Sequence, residues 1–404
     1  RVLLVGSGGR EHALAWGISQ SQSSVELHAA PGNPGIAELA TCHPVSAADF
    51  EGLLGLAGAL AVDLVVVGAE APLVDGLGDL LRHSGIPVFG PGAEAARIEG
   101  SKSFAKDVME AAGVPTAARL GEPRAPCVVK ADGLAAGKGV AVCRTEQELA
   151  AGLEVVRAFG REIVVEELLH GPEVSVFAVC DGTSAVALPA ARDFKRAFDG
   201  DDGPNTGGMG SYAPLPDLGQ DQVEELVDRV HRPVLAELAR RGAPFVGTLF
   251  AGLMLTEDGP RVLEFNCRFG DPETQSLAPL VRAGLLDLLA AAAVGELAGV
   301  ATARAVRAAV TVVLAARDYP AAGDRGSPIT GVEEARATGA LVFHAGTALH
   351  GGTLVTNGGR VLGVTATGET VAEARAGAYA AADLVRFDGA RRREDIALAV
   401  DGVA

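Results

Sequence analysis

Glu264, Asn266 and Arg268 fall at alternate positions in Val262-Leu-Glu-Phe-Asn-Cys-Arg-Phe-Gly-Asp-Pro-Glu273. Val262 to Phe265 reads as a strand. Side chains alternate faces along a strand, so Glu264 and Asn266 point one way and Phe265 the other. A carboxylate and an amide oxygen on one face suit Mg²⁺, which takes oxygen ligands and shares its shell with substrate phosphates. Arg268 follows as a planar cation able to grip a phosphate or carboxylate through two parallel hydrogen bonds. Gly270, Asp271 and Pro272 then turn the chain. Taken alone, the same pattern also describes a solvated strand end.

Other stretches supply the elements such a site needs. Val2–Val5 reads as a buried strand that runs into Gly6-Ser-Gly-Gly-Arg-Glu-His12 and a helix to about Gln20. Strand, glycine turn and helix N-terminus form an anion site, because free N–H groups point outward there. The dinucleotide fingerprint GxGxxG requires Gly where Glu11 stands, so a phosphosugar with Arg10 as counter-charge is the better reading. Asp63–Gly68 is a second buried strand. Glu70 beyond it lies where open α/β sheets bind ligands, within reach of ribose hydroxyls. Ser101 caps a helix from Lys102 to Ala112, ended by Gly113-Val-Pro115. Cys127–Lys130 is a strand leading into Ala131-Asp-Gly-Leu-Ala-Ala-Gly137-Lys138-Gly139. That stretch fails the Walker A spacing but suits a lysine-bearing glycine hairpin over a triphosphate, with Lys130, Gly137 and Lys138 near the phosphates. Ile163–Leu169 is a strand that meets the acidic pair Glu166 and Glu167. Its backbone through Leu169 can offer adenine hydrogen bonds, with Glu173 left for the ribose.

Arg192-Asp193-Phe194-Lys195-Arg196 sets acid and bases together. The segment Asp199–Gly210, rich in Gly and Asn, reads as an irregular loop that orders over substrate. Asp221–Arg240 is a polar-faced helix. Phe245–Leu255 and Pro260–Phe265 form the hairpin that delivers Glu264 and Asn266. Further on, Ala305–Leu314 is strand-like, Gly346–Arg360 carries hairpin signals, and Arg391–Arg393 reads as a solvated charge run.

The 404 residues suffice for roughly two to four domains. At 48% hydrophobic residues the chain is not disordered, and a net charge of −17 argues against nucleic acid as partner. Five scattered cysteines form no CxxC pair and fit a reducing cytosol, with Cys267 a structural thiol. No signal peptide or membrane-spanning run is read, so a cytoplasmic protein is expected.

Several segments together resemble the glycinamide ribonucleotide synthetase (phosphoribosylamine–glycine ligase) family of ATP-grasp carboxylate–amine ligases. They are Gly6–Ala13, Ala30–Asn33, Glu99–Lys102, Lys130–Val140, Gly203–Gly210, Glu264–Glu273, Phe343–Thr347 and Thr356–Val361, nearly end to end in the family's order. The resemblance implies an α/β architecture of three parts. These are an N-terminal Rossmann-like (pre-ATP-grasp) domain over 1–100, ATP-grasp nucleotide-binding domains over 101–297 with a lid at 115–185, and a small C-terminal α+β domain over 298–404. It implies ligation of glycine to 5-phosphoribosylamine in purine synthesis, with ATP and Mg²⁺ or Mn²⁺ as cofactors, through an acyl phosphate. Another purine-pathway ATP-grasp carboxylate–amine ligase is the alternative; a nicotinamide oxidoreductase and a non-catalytic nucleotide sensor are the readings from other classes.

By the same resemblance Lys102 and Lys130 bind phosphate, Glu166, Glu167 and Leu169 lie at the adenine, Glu173 takes the ribose, and Glu264 with Asn266 holds the metal. Arg268 stabilises the transferred phosphoryl or orients glycine, beside Lys130 and Asp193. Gly8, Gly9, Arg10 and Glu11 take the phosphosugar phosphate. Glu70, Lys195, Asn205, Thr206, Gly207, Gly208, Met209, Asp271 and Arg360 stand on the substrate side. The partners are the small molecules themselves, with hand-over from the amidotransferase that makes phosphoribosylamine. Departures from the family are a short Leu120–Pro126, a lid turn at Ala158–Arg161 without its glycine-rich insertion, and Phe194 where a histidine is common. The strand Phe245–Leu255 has no acid, which implies a lean metal cage.

Overall fold

The computed structural model describes residues 1–135, 138–160, 162–281, 284–300 and 304–398; Gly137 and Arg161 lie outside the described residues. The N-terminal part is a parallel five-stranded sheet in the order Thr41–Cys42, Leu27–Pro31, Val2–Gly6, Leu64–Val67, Val88–Phe89. Val2–Gly6 and Leu64–Val67 are buried throughout, as uninterrupted apolar runs require when helices cover both faces of a parallel sheet. The helix Gly9–Ser19 follows the first strand across the glycine turn.

The middle of the chain contains two larger antiparallel sheets. The smaller sheet has Cys127–Ala131 between Val140–Cys143 and Ile163–Glu167. The larger sheet runs Ala185–Ala187, Glu173–Asp181, Val246–Thr256, Gly259–Asn266. The hairpin of the last two strands registers Phe250 with Asn266 and Gly252 with Glu264, which fixes the two oxygen donors on one face. The helix Lys102–Ala111 is capped by Ser101, whose side chain accepts from Phe104 N–H. The expected helix over 221–240 is present as Gln220–Leu226, a π-helical turn at Val227–His231 and Arg232–Arg240.

A fourth sheet joins strands from distant parts of the chain: Arg192–Asp193, Gly210–Ala213, Ala308–Ala315, Arg360–Gly368, Leu341–His344. Sequence patterning did not reveal that the strand at 210–213 pairs with the C-terminal strand 308–315. The joint is sealed by buried hydroxyls: Ser211 Oγ to Ser276 Oγ, Ser276 Oγ to Thr311 Oγ1 and Thr311 Oγ1 to Thr365 Oγ1, each at 2.8 Å. Hydroxyls both donate and accept, so such a chain satisfies itself without water. It also anchors the helix Glu273–Val281, the continuation of the Asn266–Glu273 stretch.

Two expectations are corrected. The segment 199–210 is not wholly irregular, since Arg196–Phe198 pairs with Asp202–Asn205 as a hairpin. Arg391–Arg393 is not a solvated run: Arg393 is 1% exposed and pairs with Asp201 and Asp395, each at 2.7 Å. The guanidinium also lies 5.0 Å from the Phe194 ring centroid. Arg393 looks solvent-facing in sequence because its partner Asp201 lies 192 residues away along the chain.

Candidate active site

The strand end Glu264–Asn266 faces a cleft of about 790 Å³, lined also by Lys102, Lys130, Glu173, Asp193 and Lys195. Burial alone would push the Glu264 carboxyl up, but Lys195, Lys130, Lys102 and Arg268 hold it below its ordinary value. The strand Cys127–Ala131 brings in Lys130, whose Nζ lies 2.7 Å from Glu166 Oε2 and donates to the Leu263 carbonyl at 2.7 Å. The same Glu166 takes Lys106 Nζ at 2.9 Å on its other oxygen. Both lysines and the glutamate are buried. Burial lowers the Lys106 ammonium more than Glu166 raises it. Glu166 was expected at adenine. Its side chain is taken up by two lysines, and it lines the cleft together with Glu167, Leu168 and Leu169.

Lys102 is placed by its helix start. Its N–H donates to Asp132 Oδ1 at 2.7 Å and its Nζ to the Gly133 carbonyl at 3.0 Å. Arg268 pairs with Glu99 at 3.0 Å and Glu70 at 3.2 Å. Despite burial those two carboxylates raise the Arg268 pKa above its ordinary value. Burial would raise Glu70 as well, yet Arg268 and Arg10 bring it down to about 2. Lys195 forms an ion pair with Glu173. Asp193 is pushed up to about 6 by burial, against the pull of Lys195 and with the push of Glu173. Asn205, Thr206 and Gly207 line the same cleft from the hairpin segment.

A second cavity, of about 490 Å³, lies over the glycine turn. Its walls are Ser7–Gly9, Pro31–Asn33, Ala345–Thr347 and Asn357, closed by Asp271 and Arg360. The helix Gly9–Ser19 begins beneath it, and the first N–H groups of a helix have no partner within the helix. Small residues make the room. A Cβ at Gly346 would stand 2.7 Å from Gly358 Cα and 2.8 Å from the Arg360 carbonyl. Asn33 ties the walls together, its Nδ2 donating to the carbonyls of Ser7 and His344, each at 2.9 Å.

Several expected site residues stand elsewhere. Glu11 is buried and accepts from Gly8 N–H at 2.6 Å and from Arg10 Nε at 2.7 Å, so it braces the turn rather than meeting an anion. Arg10 is likewise buried, held by Glu11, by Glu70 at 3.6 Å and by the Phe269 carbonyl at 3.3 Å. Lys138 is exposed and donates to the Pro320 carbonyl at 3.3 Å, outside the cleft. Met209 is a core side chain, and Gly208 turns beneath the cleft with its N–H on Thr206 Oγ1 at 3.0 Å. Sequence reasoning missed Lys106, Glu99 and Glu273. The one available signal was that Lys106 lies one helical turn after Lys102. Glu273 is buried and its carboxyl is raised to about 8, by burial and then by Asp193.

One carboxylate and one amide oxygen on a shared strand face form a donor set that fits a hard, oxygen-seeking cation. Among the described residues no group of three or more His, Cys, Asp or Glu forms a metal cage. The rest of such an ion's shell would be phosphate and water.

Comparison with known proteins agrees with this layout part by part. Models for phosphoribosylglycinamide synthetase match as the N domain over residues 1–99, the ATP-grasp (A) domain over 100–274 and the C domain over 309–399. The chain belongs to the phosphoribosylglycinamide synthetase family. It is therefore an ATP-grasp ligase of purine biosynthesis. The phosphoribosylamine–glycine ligase of Streptomyces coelicolor is 51% identical over 421 residues, covering 100% of both chains. That of Rhizobium meliloti is 49% identical, covering 98% of this chain and 97% of the relative. A crystal structure of the Thermotoga maritima phosphoribosylamine–glycine ligase matches with TM-score 0.84 and 38% identity, over 98% of this chain and 100% of that one. At 16% identity the N5-carboxyaminoimidazole ribonucleotide synthetase of Thermotoga maritima shares the fold, with TM-score 0.65 over 96% of this chain and 98% of that one.

Proposed function

We propose that this chain joins glycine to 5-phosphoribosylamine with ATP, giving glycinamide ribonucleotide, ADP and phosphate through a glycyl phosphate. The observation that carries the reading is the adjacency of two concavities. One is a cation-lined cleft around Glu264 and Asn266; the other is a cavity over a helix-start glycine turn; they meet at Asp271. A carboxylate is a poor electrophile until phosphorylated, and phosphoryl transfer is mainly positioning and charge neutralisation.

In this reading Lys102 and Lys130 bind the triphosphate, the backbone through Glu167 and Leu169 receives adenine, and Glu173 takes the ribose. Glu264 and Asn266 would hold Mg²⁺ or Mn²⁺, which supplies charge neutralisation to the phosphates when bound. Arg268, fixed by Glu70 and Glu99, stabilises the transferred phosphoryl group. Asp193, Lys195, Asn205, Thr206 and Gly207 face glycine. The Gly8–Gly9 turn receives the phosphosugar's phosphate. No side chain becomes covalently attached; the activated group stays on substrate.

The partners are these small molecules, with phosphoribosylamine handed over by the amidotransferase that makes it. Among the described residues no single helix is long and apolar enough to cross a membrane. All five cysteines are free, which suits a reducing compartment, and we assign the cytoplasm.

The test is ADP release with Mg²⁺-ATP and glycine, phosphoribosylamine being generated from ribose 5-phosphate and ammonia. Release should require both substrates and fall by about 10²–10³-fold in Glu264→Ala. ATP binding with no turnover under any combination overturns the reading.

A further inference from the structure

Asp271 is the one residue, among those described, that lines both the nucleotide cleft and the phosphosugar cavity. Its carboxylate is held from two sides. Arg360 Nη2, from the C-terminal part, lies 2.8 Å from Oδ2, and Gln275 Nε2 donates to Oδ1 at 2.8 Å. Arg360 is itself fixed: its Nη1 donates to the Asp271 carbonyl at 2.8 Å and to the Gly207 carbonyl. Gly207 in turn donates its N–H to Tyr319 Oη at 2.8 Å. Gln275 is 2% exposed, and its amide oxygen has no partner among the described residues.

An ionised carboxylate accepts at roughly four lone-pair positions. Arg360 and Gln275 occupy one on each oxygen, so each oxygen keeps one to offer. A neutral primary amine presents two N–H groups and one lone pair. We propose that Asp271 anchors the attacking amine of the phosphosugar, accepting its N–H groups so that the nitrogen lone pair faces the cleft. This rests on the ligase reading above and assigns its second half to a junction of three parts of the chain. In that half the amine nitrogen forms a bond to the glycyl carbonyl carbon, and the carbon–oxygen bond to phosphate breaks. One amine proton leaves with the phosphate, as hydrogen phosphate. Arg360 is a positioning residue: it keeps the carboxylate at the meeting point without touching the amine.

The two half-reactions give separate products. Glycyl phosphate formation happens in the cleft, and hydroxylamine traps the product as glycine hydroxamate without using the phosphosugar cavity. Asp271→Asn replaces one acceptor oxygen with a donor. Its kcat/KM for phosphoribosylamine should fall by about 10²-fold, the size expected for a misplaced nucleophile. Hydroxamate formation should fall by less than about threefold, well below that loss. Arg360→Lys keeps the charge but loses the two-pronged grip, and should lower amide synthesis by about tenfold, again sparing hydroxamate.

Parallel loss of both products in either folded variant, judged by an unchanged thermal melt, overturns the proposal, as does amide synthesis at the parent rate. A parent chain that makes neither product overturns the ligase reading itself, before any variant is compared. If Asp271→Asn does not fold, Arg360→Lys decides alone on the same ratio of products.

Discussion

The cleft around Glu264 and the cavity over the glycine turn lie side by side yet are built in opposite ways. The cleft is made of long charged side chains, each held by a partner: Lys130 and Lys106 by Glu166, Arg268 by Glu99 and Glu70, Lys195 by Glu173. Apart from the Asp271–Arg360 pair at the junction, the cavity is made of backbone and room: the Gly8–Gly9 turn, Gly32, Asn33 and Gly346. A triphosphate brings several negative charges that must be neutralised, and only side chains carry full positive charge. A single phosphate can sit on the N–H groups of a helix start. The cleft should therefore fail when a charge is removed, and the cavity when a carbon atom is added.

The largest break in that contrast is at Glu166. Glu166→Ala leaves Lys106 and Lys130 buried side by side with no carboxylate between them. Breaking a buried ion pair this way costs about 3–5 kcal/mol. Denaturant unfolding should register that loss, and the KM for ATP should rise far more than that for phosphoribosylamine.

Gly346→Ala tests the other side. Its Cβ would stand under 3 Å from two backbone atoms, so the wall must shift. Overpacking of this kind costs about 1–3 kcal/mol, and here the KM for phosphoribosylamine should rise while that for ATP holds. Equal rises in both constants would contradict the separation.

Acid should loosen the cavity side. His12 Nδ1 accepts from His344 N–H at 2.8 Å, directly under the cavity wall. Burial, and then the His344 and Arg336 charges, drive His12 well below its ordinary value of 6.5; burial and Arg336 bring His344 to about 4. Both are neutral when folded, and the unfolded chain binds the extra protons. Stability is then complete above pH 6.5 and declines as pH falls toward 4, by about 1.4 kcal/mol per pH unit for each proton taken up. Urea midpoints across pH 4–7 measure it. A flat profile would show that the histidines protonate without unfolding.

The smallest effect belongs to the cleft's edge. Ser101→Ala removes the cap of the helix that carries Lys102 and Lys106, at a cost of about 1 kcal/mol. A slight drop in melting temperature with little change in phosphoribosylamine KM is expected.

Much of this was legible in the chain itself. The alternation of Glu264 and Asn266, the strand before the glycine turn, and the Ser101 cap follow from local rules of period and turn chemistry. Those rules act over a few residues and do not depend on distant partners. Arg10 and Glu11 were misread because the fingerprint describes where the backbone goes, not what a neighbouring side chain will find. Once folded, Glu11 meets the Gly8 N–H and Arg10 meets Glu70, and both turn inward. Lys106 passed unnoticed because its partner is 60 residues away at Glu166, on the strand Ile163–Glu167.

The sequence by itself determined many of the helices and strands, the oxygen-donor pair and the glycine turn, since each depends on covalent geometry and near neighbours. Only the tertiary structure decided which charges are neutralised. It also decided that the strand at 210–213 joins the C-terminal sheet, and that Asp271 stands between two cavities with Arg360 beside it. Those outcomes depend on pairings between residues far apart along the chain, brought together as the core excludes water. Electrostatic interaction at a given distance is strengthened by that exclusion.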